Sequence, residues 1–216
     1  MITITHVSKR YRHEQVLNDI SVQFEAGHVV GLVGPNGCGK TTLMRCICGF
    51  TRPTSGQISV HGAMIGKDVD FPKNVGIIIE APGFLPQYSG LRNLMILADI
   101  SGRADKRRAM EAMRQVGLEP DSRKPVGKYS LGMRQRLGIA QAIMEDPDIL
   151  LLDEPFNGLD RNAMEAMGRL FQTLKAQGKL LLLISHYAHE IASNCDILYE
   201  MRNGALERVG EEASPL

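Results

Sequence analysis

With 216 residues, 23% of them charged, and a formal net charge of +1, the chain is long enough for one substantial core and too evenly balanced in charge to coat nucleic acid. Its four cysteines, Cys38, Cys46, Cys48 and Cys195, form no C-x-x-C pair, which excludes the usual zinc spacing and points to small buried hydrophobes in a reducing compartment. No apolar run approaches the ~20 residues of a membrane helix, and Met1-Ile2-Thr3-Ile4-Thr5 alternates like a strand rather than a secretion signal, so a soluble, cytosolic chain is expected.

In chain order, Ile2-Thr3-Ile4 and Ser21-Val22-Gln23-Phe24 alternate as antiparallel strands, with turns expected at Asn18-Asp19 and Ala26-Gly27. His28 to Val33 is a short apolar run rich in β-branched residues, which predicts a buried strand. Gly34-Pro35-Asn36-Gly37-Cys38-Gly39-Lys40-Thr41-Thr42 follows and fits G-x-x-x-x-G-K-[ST]. Thr42 to Cys48 then reads as a helix, with Leu43, Cys46 and Ile47 on one face. Strand, glycine-rich turn and helix together predict a phosphate-binding loop for a nucleoside triphosphate. Glycines let backbone N–H groups approach phosphate oxygens, and the helix N-terminus favours negative charge. Lys40 is expected to reach the β- and γ-phosphates, and the Thr41 hydroxyl to ligate Mg²⁺.

Beyond this loop, Arg52 to Gly56 predicts a turn into a strand at Gln57 to Val60, and Val75 to Ile79 a strand ending at Glu80. Leu91 to about Gly117 turns helical, with Ala109, Met110, Met113 and Val116 at helix spacing and the basic run Arg103 to Arg108 opening its second helix. Ile149 to Asp153 and Leu180 to Ile184 read as fully buried strands, with a helix between them capped by Asp160. Apolar runs alternating with helices predict a parallel sheet in a three-layer α/β core.

Two of these strands deliver charge at their C-terminal ends, where ligands sit in open α/β sheets. A buried carboxylate needs a compensating cation or a reaction. Beside a phosphate-binding loop, Asp153 is the expected Mg²⁺ ligand and Glu154 the residue that orients or deprotonates the attacking water. His186, after Ser185, stands where it could hydrogen-bond the γ-phosphate.

The order GPNGCGKTT, YSLGMRQR, LLLDEP, NGLD and a strand ending in SH resembles the ATP-binding cassette of ABC transporters, over Tyr11 to about Gly204. The resemblance implies one P-loop α/β cassette over residues 1–216, with an N-terminal antiparallel β-subdomain and a helical subdomain at about residues 82–142. It makes Gly34 to Thr42 the Walker A loop, Ile149 to Glu154 Walker B plus catalytic glutamate, Asn157 to Asp160 the D-loop, His186 the switch histidine and Tyr11 the aromatic that stacks on adenine. The signature segment departs from L-S-G-G-Q: the chain has Tyr129-Ser130-Leu131-Gly132-Met133, keeping Ser130 and Gly132. Ser130 is expected to cap the following helix, whose Met133, Leu137, Ala140 and Met144 form one stripe, and to meet the γ-phosphate held by a second cassette. Glu80 stands where the family usually has glutamine and adds a candidate Mg²⁺ ligand.

The implied function is ATP hydrolysis powering transport through a separate membrane permease. ATP and Mg²⁺ are the implied cofactors, a homodimer or paired cassette the implied assembly, and the cytoplasmic face of the membrane the implied location. Glu80 together with SLGMRQR is similar to bacterial exporter ATPases that protect against bacitracin and lantibiotics. A soluble cassette protein acting on ribosomes or DNA is the alternative, although one P-loop and no heptad insertion between Lys40 and Asp153 fit it less well. A stand-alone P-loop kinase leaves the signature segment unexplained.

Overall fold

The computed structural model describes residues 1–80, 83–186 and 191–209. The chain starts with β1 (Ile2–Tyr11) and β2 (Glu14–Phe24), passes through β3 (Val29–Val33) into helix α1 (Lys40–Ile47), and returns as β4 (Ser55–Val60) and β5 (Ala63–Met64). After β6 (Val75–Ile78) come three helices, α2 (Gly90–Ser101), α3 (Lys106–Gln115) and α4 (Leu131–Ile143). The remainder is β7 (Ile149–Asp153), α5 (Arg161–Ala176), β8 (Leu180–Ser185), β9 (Ile197–Arg202) and β10 (Ala205–Arg208).

The strands sort into an antiparallel sheet, order β2-β1-β4-β5, and a six-stranded sheet, order β10-β9-β3-β8-β7-β6. Its pairings β3–β8, β3–β9, β8–β7 and β7–β6 are parallel, and β9–β10 is antiparallel. Every residue of β3, β7 and β8 is buried, which is why these strands read as continuous apolar runs. Successive side chains in a strand point to opposite faces. Val29, Val33, Leu150, Leu152, Leu181 and Leu183 accordingly pack with α2 to α5 residues such as Leu94, Met113, Leu137 and Phe171. Val30, Leu32, Ile149, Leu151, Leu180 and Leu182 face the other way, into Leu43 and Ile47 of α1 and Ile4, Phe24 and Ile58 of the antiparallel sheet. The parallel sheet is thus the middle of three layers, as expected.

Some local expectations are corrected. Asn18-Asp19 is no turn; it lies inside β2 where the β1–β2 register shifts, and Asp19 bulges with φ 49°. The reversal occurs at Arg12-His13, with Arg12 at φ 51°. A bulge and a turn use the same residue types, because both need the left-handed region that Asn and Asp tolerate. Helix α1 starts at Lys40, two residues before its expected start. The stretch from Leu91 to Gly117 is two helices, as expected, with Gly102 ending the first; the basic run leads into the second, which Asp105 caps by accepting from Arg108 N at 2.8 Å. The thiols behave as buried hydrophobes. All four are free, and burial pushes Cys46 up to about 11 and Cys48 and Cys195 up to about 12.

Asp160 caps α5 as expected, its carboxylate accepting from Ala163 N at 2.9 Å. Replacing Asp160 with Ala removes the acceptor for an orphan helix N–H, a loss of about 1 kcal/mol. The denaturant midpoint should fall with an unchanged slope; an unaltered midpoint would mean that the cap contributes nothing.

Candidate functional site

Parallel strands ending side by side bring the chemistry together. The loop after β3, Glu80 beyond β6, Asp153 and Glu154 at the end of β7 and His186 after β8 all fall at one edge of the sheet. A cavity of about 450 Å³ opens there, lined by Asn36, Gly37, Gly39, Lys40, Thr41, Thr42, Glu80, Asp153 and Glu154. Pro35 and Cys38, with Asn36 and Gly37, line a neighbouring cleft of about 280 Å³ that also touches Val16 and Gly204.

Helix α1 is unlike α2 to α5. Those four carry a side-chain cap, from Ser89, Asp105, Ser130 and Asp160, whereas α1 is preceded by Gly39 and has no side-chain cap. Its first-turn N–H groups and positive dipole end are left for an anion at the cavity. Gly34 is required at the loop entrance, because with φ 150° a Cβ there would lie 2.3 Å from the Met201 carbonyl oxygen. Lys40 is buried and folds back on the loop, donating to the carbonyls of Gly34 at 2.7 Å and Pro35 at 3.0 Å.

In the first turn of α1, the Thr41 hydroxyl donates to Asp153 Oδ2 at 2.9 Å. Asp153 is only 7% exposed. Burial pushes its carboxyl above the ordinary value and neighbouring Glu154 and Glu80 push the same way, while the Thr41 hydrogen bond and Lys40 oppose them. A buried carboxylate whose charge is under-compensated, next to a hydroxyl, fits a divalent cation. Among the described residues no cluster of three His, Cys, Asp or Glu could hold a metal. The Asp153 carboxylate and the Thr41 hydroxyl are the kind of oxygen ligands that would hold Mg²⁺, which keeps several waters and takes one or two carboxylates together with substrate phosphates.

Glu154 sits just past β7 in the left-handed region, φ 51°. Three contacts hold its side chain: His186 N donates to Oε1 at 3.0 Å, His186 Nδ1 lies 2.8 Å from the same oxygen, and Ser185 Oγ donates to Oε2 at 3.3 Å. Its own carbonyl accepts from Gln135 Nε2 of α4 at 3.0 Å. His186 therefore reaches the site through Glu154 and does not line the cavity. Glu80, also left-handed at φ 61°, lines the cavity and forms an ion pair with Arg45 Nη2 of α1.

Three expected contacts lie outside the cavity wall. Tyr11 ends β1, 44% exposed, with the Lys9 ammonium 4.7 Å from its ring centroid. Ser130 caps α4, accepting from Met133 N at 3.2 Å, and is itself exposed. Gly132 abuts the Asn157–Asp160 loop, where a Cβ would come within 2.6 Å of the Gly158 carbonyl oxygen. The first position of the signature segment, Tyr129, is buried in the helical layer, so its size is absorbed by packing.

A family profile described as ABC transporter matches residues 17–157. The chain belongs to the ABC transporter ATP-binding family. It is 44% identical over 207 residues to the uncharacterized ABC transporter ATP-binding protein YybJ of Bacillus subtilis (strain 168), covering 96% of this chain and 95% of the relative. The bacitracin transport ATP-binding protein BcrA of Bacillus licheniformis is 37% identical over 208 residues, covering 95% of this chain and 68% of that one. The lantibiotic transport ATP-binding protein SrtF of Streptococcus pyogenes is 32% identical over 198 residues, covering 92% and 85%. Among solved structures, the dimeric bacterial ABC transporter cassette MJ0796 shares the fold with a TM-score of 0.86 at 23% identity, covering 96% of this chain and 97% of that one. An ATP binding subunit of an ABC transporter superposes with a TM-score of 0.85 at 27% identity, covering 97% and 90%.

This ABC protein is thus an ATP-binding ATPase subunit of the transporter type, and the reading as a cassette acting on ribosomes or DNA is set aside. Several of its site residues escaped the sequence reading. Leu131, Arg134, Gln135 and Asn157 line the ABC cavity from α4 and the loop before α5; they lie inside the recognised YSLGMRQR and NGLD segments, but their role in their own chain's cavity was not read. Arg45 had a clearer signal: it lies four residues after Thr41 on one helix, hence on the same face.

The raised Asp153 carboxyl sets the sign of a stability test. With its folded value above the unfolded one, the native state binds the proton more tightly, so stability is lost as pH rises through the folded value. An Asn keeps an acceptor for the Thr41 hydroxyl without the charge. The Asp153→Asn variant of this ABC subunit should therefore melt higher than wild type at neutral pH without nucleotide or metal. That advantage should shrink as pH falls through the raised folded value and be gone below the ordinary aspartate range. Equal melting curves at neutral pH would contradict an under-compensated Asp153.

Proposed function

We propose that two copies of this chain close over two ATP molecules, hydrolyse them, and so drive an integral membrane permease from the cytoplasmic face of the membrane. The observation that carries this reading is the row of Thr41, Asp153 and Glu154 beside the uncapped start of α1. The triphosphate lies on the N–H groups of Gly34 to Thr42, and Lys40 exchanges its two backbone carbonyls for the β- and γ-phosphates. Thr41, Asp153 and Glu80 hold Mg²⁺, which neutralises phosphate charge when bound. Tyr11 stacks on the adenine. Glu154 takes the proton of the attacking water, with its carboxylate aimed by His186 and Ser185. Ser130 and Gly132 present the N-terminus of α4 to the γ-phosphate in the other copy, so each active site needs both chains. Residues 1–216 act as one cassette, with the helices from about residue 82 to 142 as the arm that meets the permease.

Among the described residues no helix is long and apolar enough to cross a membrane. The names of BcrA and SrtF concern bacitracin and lantibiotic transport, and this supports a peptide antibiotic as cargo; export is the direction proposed. The permease that co-purifies with the subunit from membranes, and the change in bacitracin or lantibiotic sensitivity on deleting it, test that part.

Glu154→Gln should retain ATP affinity, lose on the order of 10²-fold or more in turnover, and accumulate as an ATP-bound dimer in gel filtration. Near-normal hydrolysis with monomers only would remove Glu154 from catalysis. Ser130→Arg should block the ATP-dependent dimer while each subunit still binds ATP. A binding loss as large as that of Lys40→Ala would instead assign Ser130 to its own chain's nucleotide.

A further inference from the structure

Helix α1 addresses two carboxylates with successive turns. Thr41 donates to Asp153 at the end of β7, and Arg45, four residues on, pairs with Glu80 beyond β6. Strands β6 and β7 are neighbours, with Ile78 opposite Leu152, so the two contacts form one row across adjacent strand ends. Glu80, Asp153 and Glu154 all line the same cavity, and Glu80 contributes to raising the Asp153 carboxyl, after burial. Lys40 is engaged with backbone carbonyls. Arg45 is therefore the cation that answers the third carboxylate, and it does so from outside the cavity wall.

We propose that Arg45 is a positioning residue that holds the Glu80 carboxylate back from the metal position and competes with Mg²⁺ for it, so that metal–nucleotide binding is coupled through Glu80 to α1. This inference rests on the reading of Glu80 as a Mg²⁺ ligand. Both side chains are partly exposed, 43% for Arg45 and 63% for Glu80, and such a pair adds little to folding stability. What it fixes is the direction of a charge. Arginine is never deprotonated and its planar fork matches a carboxylate, so at any working pH Arg45 stays a competitor that a metal ion must displace from Glu80. Glu80 is held by a left-handed backbone, φ 61°, which limits the directions in which its side chain can swing. A glutamine at position 80 would be uncharged, and Arg45 would have no counter-ion to hold.

The test is a double-mutant cycle read by binding. Mg²⁺ is titrated against a fixed concentration of a fluorescent ATP analogue for wild type, Arg45→Gln, Glu80→Gln and the double variant, with metal-free affinity as reference and thermal melting as the folding control. Arg45→Gln should lower the half-saturating Mg²⁺ by roughly 3- to 10-fold, the size expected for one near-surface charge contact. In the Glu80→Gln background the same change should have almost no effect. A shift of equal size in both backgrounds would mean that Arg45 acts only through the general field, and would overturn the proposal. No shift in Arg45→Gln, with Glu80→Gln alone raising the requirement, would overturn it while leaving Glu80 as a metal ligand. If Glu80→Gln has no effect on the Mg²⁺ requirement, the metal role of Glu80 fails and the inference falls with it.

Discussion

Asp153 carries a carboxylate to the end of a strand whose other residues, Ile149 to Leu152, are fully buried. That one placement constrains most of its surroundings. A charge in a poorly solvated position is tolerated only with hydrogen bonds and opposite charge nearby. Thr41 supplies the hydrogen bond, and Lys40 supplies the charge from the same helix start. Since Glu154 and Glu80 oppose them, the balance stays on the side that favours a further cation. Burial of Asp153 thus costs local stability, a cost that a bound cation would offset.

The fold delivers this by topology. In a parallel sheet all the carboxyl ends fall on one edge, so residues more than a hundred positions apart in sequence, such as Thr41 and Asp153, meet at hydrogen-bond distance. The sheet is buried on both faces, against α2 to α5 on one side and α1 with the antiparallel sheet on the other. This burial fixes the strand ends laterally. The helical layer is also tied into the site chemically: Gln135 of α4 holds the Glu154 carbonyl, and Gly132 rests against the loop that follows Glu154. A displacement of α4 thus acts on the backbone of Glu154, which is the physical route by which the helical layer and the Glu154 carboxylate can move together.

Glu80 and Glu154 share a backbone feature: both sit just beyond a strand end with positive φ. For a glutamate this conformation is costly, and it persists because surrounding contacts over-determine it. Arg45 holds one side chain; His186 and Ser185 hold the other. In each case the turn redirects a side chain that strand alternation would otherwise send above or below the sheet, and aims it along the strand axis toward the cavity.

Much of this was legible in the sequence. The apolar runs of β3, β7 and β8, the glycine-rich turn before Lys40, and the caps at Ser130 and Asp160 are local signals, set by the preferences of a few adjacent residues. So was the placement of Asp153 and Glu154 at the cavity, because carboxylates straight after a buried run fall at the strand end where the sheet opens. Where two local structures demand the same residue types, the sequence was ambiguous: Asn18-Asp19 forms a bulge in β2, not a turn. The tertiary structure alone decided that Glu80 faces Arg45, that His186 reaches the cavity through Glu154, and that Gly132 packs on Gly158. Those contacts join different elements, and their partners are chosen by strand order and helix placement. Such choices are made by long-range burial, which no short stretch of sequence encodes.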